Sequence, residues 1–178
     1  RVRMVAPYDE TFLSAFKEAP SLRWAWPLEQ ALQHSLANVP ELPGRTLVLV
    51  DVSGSMMDTM SGRSKLARWE AAAVFGVALA VRNPGDLFLF DNDVAKVNVT
   101  SATSVLPVVK EIGGRVGGGT YTMAAIRATY SGHDRVVILT DEQAHDAGTD
   151  MPSIPVIHTF NLAGYRPGHL PSGDRGRY

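Results

Sequence analysis

The chain contains no cysteine among its 178 residues, which excludes disulfides, thiolate metal sites and a cysteine nucleophile together. Such a composition fits a reducing compartment, and a cytoplasmic location is expected. Charge of one sign is also missing. With 17 Lys and Arg against 18 Asp and Glu, the formal net charge is −1, so the whole chain has no basic footprint for nucleic acid. No apolar run reaches the roughly 18 residues needed to span a bilayer, and no signal-peptide pattern is evident. A membrane is therefore not an expected partner. No internal repeat is visible. His34, His133, His145, His158 and His169 are scattered, without the i, i+4 spacing of a zinc helix, and read as surface or strand residues.

What is present is an ordinary globular composition, 45% hydrophobic and 20% charged, long enough to bury a core without staples. The length fits one domain, and a start at Arg1 rather than Met reads as a piece of something longer. The most informative stretch is Thr46-Leu47-Val48-Leu49-Val50-Asp51-Val52-Ser53-Gly54-Ser55. Its apolar run predicts a strand buried on both faces, ending abruptly in oxygen-bearing side chains.

Elements alternate around it. Residues 9–17 and 22–38 predict short amphipathic helices, the second with Pro27 in its first turn and Leu28, Ala31, Leu32, Ser35 and Leu36 on one stripe. Trp24 and Trp26 are expected in the core or over an edge, in preference to a base-stacking platform. A polar loop through Arg63 leads to a long helix over 65–81, whose Ala71-Ala72-Ala73 and Gly76-Val77-Ala78 suit close packing on a sheet. Strands follow at 87–90 and 95–99, a helix at 104–112 with Pro107 in its first turn, and a short helix ending near Tyr130. Further strands are expected at 135–141 and 155–162, then a loop-like tail. The alternation predicts a three-layer α/β domain, a mostly parallel central sheet with helices on both faces. Domain boundaries are expected at 1–38 (helical lead-in), 39–165 (the α/β domain) and 166–178 (tail).

Ligands of open α/β sheets sit beyond the carboxyl ends of the strands. If strands 46–50 and 135–140 are neighbours, Asp51, Ser53 and Ser55 meet Thr120, after Gly117-Gly118-Gly119, and Asp141. Two carboxylates and three hydroxyls are hard oxygen donors, suited to Mg²⁺ or Mn²⁺, which takes about six oxygen ligands including water. Taken alone, Ser53-Gly54-Ser55 reads better as a plain strand-to-helix turn with capping hydroxyls, and it is Thr120 and Asp141 that tip it toward a metal.

This pattern resembles the von Willebrand factor A domain and its metal-ion-dependent adhesion site, D-x-S-x-S with a distant Thr and a distant Asp. The resemblance implies that Ser53, Ser55 and Thr120 touch the metal, with Asp51 and Asp141 acting largely through water, and that an acidic group of a partner protein or neighbouring domain completes the shell. It narrows further. Arg45 to Met56 preceded by Val39-Pro40, with Trp69-Glu70-Ala71-Ala72 and Asn161-Leu162-Ala163-Gly164-Tyr165, looks like bacterial TROVE proteins, the Ro autoantigen family, over about residues 22–165. In that family a ring of helical repeats precedes this domain and binds small noncoding RNA. Residues 1–38 would correspond to the last helices of that ring. The partners implied for the full-length protein are noncoding RNA and, as a further candidate, an exoribonuclease.

Enzyme readings fare worse. An aspartyl phosphotransferase would use Asp51 as nucleophile with a second acid two residues on, where this chain has Ser53. A P-loop needs Gly-Lys-Ser/Thr, and Tyr121 follows Thr120 instead. Asp91-Asn92-Asp93 reads as an acidic turn before a second cation site, and Arg166, His169, Arg175 and Arg177 as a solvated tail before a phosphate contact. The expectation is a non-enzymatic, cation-dependent binding module.

Overall fold

The computed structural model describes residues 22–62, 64–146 and 151–163. Its strands are β1 (Thr46–Asp51), β2 (Gly85–Phe90), β3 (Val94–Val97), β4 (Arg135–Thr140) and β5 (Ile157–Asn161). They lie in the order β3-β2-β1-β4-β5. β1 pairs in parallel with both β2 and β4, and β4 with β5, while β3 returns antiparallel along β2 as an edge hairpin. The central strand is the one whose apolar run first stood out, and all six of its residues are buried.

Side chains alternate across the sheet because successive Cβ atoms point to opposite faces. Val48, Val50, Leu87, Leu89, Val137 and Leu139 face one core, shared with the helices α1 (Leu22–Ser35), α2 (Arg68–Arg82) and α3 (Val105–Ile112). Leu47, Leu49, Phe90, Val136 and Ile138 face the other, closed by Met123, Ala125 and Ile126 of α4 (Thr122–Thr129). The result is the expected three-layer α/β fold. α2 lies close on the sheet at Gly76, where a Cβ would sit 2.5 Å from Val50 Cγ2. In α3, Val105, Leu106, Val109 and Ile112 are buried and Pro107 is the third residue, inside the first turn as expected.

Several expectations shift. α1 begins at Leu22, so Pro27 is its sixth residue and lies past the first turn. Trp26 is 70% exposed, against the expected core or edge position. The reason is geometric: nine residues separate Trp26 from Ser35, about 180° of net rotation, which turns Trp26 away from the stripe whose Leu32, Ser35 and Leu36 are buried. The expected helix over 65–81 starts only at Arg68, because Thr59 bridges Ala67 and holds the preceding residues extended. Glu70 accepts the Ala67 N–H at 2.8 Å and closes that helix start. The candidate helix at 9–17 and the tail from Gly164 lie outside the described residues. Among the described residues, no helix is long and apolar enough to cross a membrane.

Candidate metal centre

The parallel register sets the site. Val50 lies opposite Leu139, so Asp51 at the end of β1 comes beside Thr140 at the end of β4, with Asp141 one residue on. Thr140 Oγ1 donates to Asp51 Oδ2 at 2.5 Å and accepts the Glu142 N–H at 3.0 Å. The other oxygen of Asp51 accepts the Ser53 N–H at 2.8 Å, folding the chain back into a 3₁₀ turn over Gly54–Met57. That turn brings Ser55 Oγ to 3.4 Å from Ser53 Oγ. Asp51, Ser53 and Asp141 are buried, and Ser55 is half-buried.

Thr120 arrives from a separate loop. Gly117 N–H donates to Val52 O at 2.8 Å and Gly54 N–H donates to Gly118 O at 3.0 Å, lacing the glycine-rich loop to the Ser53 turn. Gly118 has φ +78, a left-handed conformation that favours glycine, and a Cβ there would press on the Asp91 carboxylate at 2.9 Å. Thr120 itself is buried. Its N–H donates to His145 Nδ1 at 3.1 Å while His145 N–H donates to Thr120 O at 2.8 Å. Tyr121 stacks on the same imidazole at 5.6 Å. All five sequence-predicted residues thus stand at the carboxyl end of the central strands, carried by three segments.

Burial dominates the electrostatics. It pushes the Asp51 carboxyl up to about 6, against the hydrogen bonds from Ser53 and Thr140, and the nearby Asp141 charge adds to the rise. Asp141 accepts the Gln143 N–H on Oδ1 at 3.2 Å and faces the Arg68 guanidinium at 3.3 Å on Oδ2. Glu142 holds the left-handed conformation at φ 63 while buried, a strained position for a residue with a Cβ.

Three contributors escape sequence reasoning. Thr140 reads as one more β-branched strand residue, Arg68 lies 73 positions from its acid, and His145 sits in a loop without a motif. Only Thr140 had a usable signal, its place beside Asp141 at the strand end. Asp91 to Asp93 forms the expected turn, with Asp93 N–H on Asp91 Oδ1 at 2.9 Å. His133 is buried at the opposite end of the sheet, 3.0 Å from Asp86.

Among the described residues, no three His, Cys, Asp or Glu side chains converge as a metal cluster. The donor set is instead two carboxylates with Ser and Thr hydroxyls, a hard, oxygen-only set that fits Mg²⁺ or Mn²⁺ and disfavours softer ions.

The fold is three-layer α/β with a five-stranded, mostly parallel central sheet, consistent with the von Willebrand factor A, Rossmann-like class. The sequence matches no model of a known protein family and no curated protein. Among solved structures it is similar to the Ro (RSR) protein of Deinococcus radiodurans, with 18% identity and a TM-score of 0.65 over 89% of this chain. The likeness covers 35% of that protein, so the chain spans about a third of its length. The resemblance to bacterial Ro proteins read from the sequence therefore has a counterpart in the fold.

Proposed function

We propose that this chain is a divalent-cation-dependent binding module of a Ro-like protein concerned with noncoding RNA. The observation that carries the reading is the meeting of Asp51, Ser53, Ser55, Thr120 and Asp141 at one end of the sheet. Ser53, Ser55 and Thr120 would supply neutral oxygens to Mg²⁺ or Mn²⁺, and Asp51 and Asp141 the negative charge. The cation would offer its open position to a carboxylate of a partner or neighbouring domain. The fold likeness to the Deinococcus radiodurans Ro protein supports RNA association of the larger protein. This reading assigns RNA contact to parts of the larger protein beyond this domain, in keeping with a net charge of −1. In this reading the module is non-enzymatic, its Ser53, Ser55 and Thr120 hydroxyls serving as ligands and not as nucleophiles, and cytoplasmic, in keeping with a chain that has no cysteine.

The test is calorimetric titration of Mg²⁺ and Mn²⁺ into the wild type, Ser53→Ala and Asp141→Ala. Saturable binding lost in both variants is expected, with no turnover of a generic phosphate ester. Binding that survives both substitutions refutes the site, and turnover abolished by Asp51→Asn would favour the phosphotransferase instead.

A further inference from the structure

Arg68 opens α2 and is nine-tenths buried, an unusual place for a guanidinium. Its Nη1 lies 3.2 Å from the Ser55 carbonyl, 3.3 Å from Asp141 Oδ2 and 3.3 Å from Asp58 Oδ2. It therefore touches two of the five cluster residues, the backbone of one and the carboxylate of another. Asp141 is wholly buried, and a buried carboxylate demands a positive partner. Asp58 is on the solvent side, its side chain 67% exposed, so the guanidinium bridges the interior acid to the rim.

We infer that Arg68 is a built-in counter-cation of the cluster: it neutralises Asp141 when no divalent ion is bound and thereby lowers the cluster's affinity for one. The inference rests on the metal-binding reading above. A divalent ion and a guanidinium drawing on one carboxylate repel each other, and burial leaves that repulsion poorly screened. Arg68 is a positioning residue, since it acts on the ion through Asp141 and the Ser55 turn. A guanidinium that merely props that turn predicts the opposite, because losing it would loosen Ser55 and weaken binding.

The experiment measures Mn²⁺ dissociation constants by electron paramagnetic resonance on the whole chain, for wild type, Arg68→Gln and Arg68→Lys. Arg68→Gln is expected to bind Mn²⁺ at least about tenfold tighter. Arg68→Lys, which keeps the charge, stays within about threefold of wild type. The ion-induced rise in melting temperature is larger in Arg68→Gln, whose Asp141 has only the ion to pair with. If Arg68→Gln does not fold, Arg68→Met, which keeps an apolar stem in the buried channel, carries the same comparison. Wild-type binding with unchanged or weaker binding in the neutral variants overturns the inference and leaves the metal site standing. No Mn²⁺ binding by any variant overturns both.

Discussion

Asp51 offers the sharpest quantitative test, because its carboxyl is fully buried and its protonation links folding to pH. Burial lifts it from the ordinary 3.8 to about 6. Between those values the unfolded chain has already lost the proton that the folded one keeps. The folded state then binds more protons, so the ion-free protein loses stability as pH rises through this window. Below 3.8 both states are protonated and above 6 both are ionised, and the contribution is flat. At 1.36 kcal/mol per pH unit, the full swing is about 3 kcal/mol. That is a large part of the roughly 5–15 kcal/mol that holds a domain folded.

Asp51→Asn removes the titration while keeping the shape. The assay is urea unfolding of chelator-treated wild type and variant at intervals from pH 3.5 to 7.5, taking the difference so that other titrating groups cancel. The variant should gain on the wild type by about 3 kcal/mol across the window, with the midpoint of the change near pH 5. Added Mg²⁺ should shrink the wild-type slope, because a cation beside the carboxylate replaces the proton that burial favours. A difference flat to within about 0.5 kcal/mol would refute the reasoning that Asp51 carries an uncompensated charge at neutral pH.

Two backbone features give further tests. Glu142→Gly should be more stable than Glu142→Ala by about 1 kcal/mol, measured by chemical unfolding, since both delete the side chain and only glycine relieves the left-handed φ. Gly76→Ala should cost about 1–3 kcal/mol despite alanine's better helix propensity, because its Cβ would lie 2.5 Å from Val50 Cγ2; thermal melting checks it, and a stabilised variant would mean that α2 can lift off the sheet cheaply.

The sheet was legible because its central strands are buried on both faces and so read as unbroken apolar runs at 47–50 and 136–139. Asp51 and Asp141 were legible for the same reason, since an acid directly after such a run must lie at the strand's carboxyl end, whereas Ser53, Ser55 and Thr120 were picked out by the D-x-S-x-S pattern and the glycine-rich loop. What stayed hidden depends on partners far off in sequence. The late start of α2 follows from the bridge between Thr59 and Ala67, a contact with no local signature. The exposure of Trp26 required knowing which stripe of α1 faces the sheet. The role of Arg68 required Asp141 to be fixed in space first.

The two ends of the same sheet treat their acids in opposite ways. At the amino end, Asp86 receives Lys96 at 2.7 Å, His133 at 3.0 Å and Arg45 at 3.1 Å. Hydrogen bonds from Lys96 and then His133 pull its carboxyl down to about 2, so it adds stability above the ordinary range and loses it only as pH falls toward 2. At the carboxyl end, Asp51 has hydroxyl and amide donors but, among the described residues, no cation of its own, and its carboxyl moves up instead. The Arg68 guanidinium instead lies 3.3 Å from both Asp141 and Asp58. The left-handed Glu142 and Gly118 sit at this end too. An acid that folding alone favoured would be paired as Asp86 is. Among the described residues Asp51 faces no cation, and in the reading proposed above a divalent cation is the smallest addition that would turn its unfavourable burial into a favourable one.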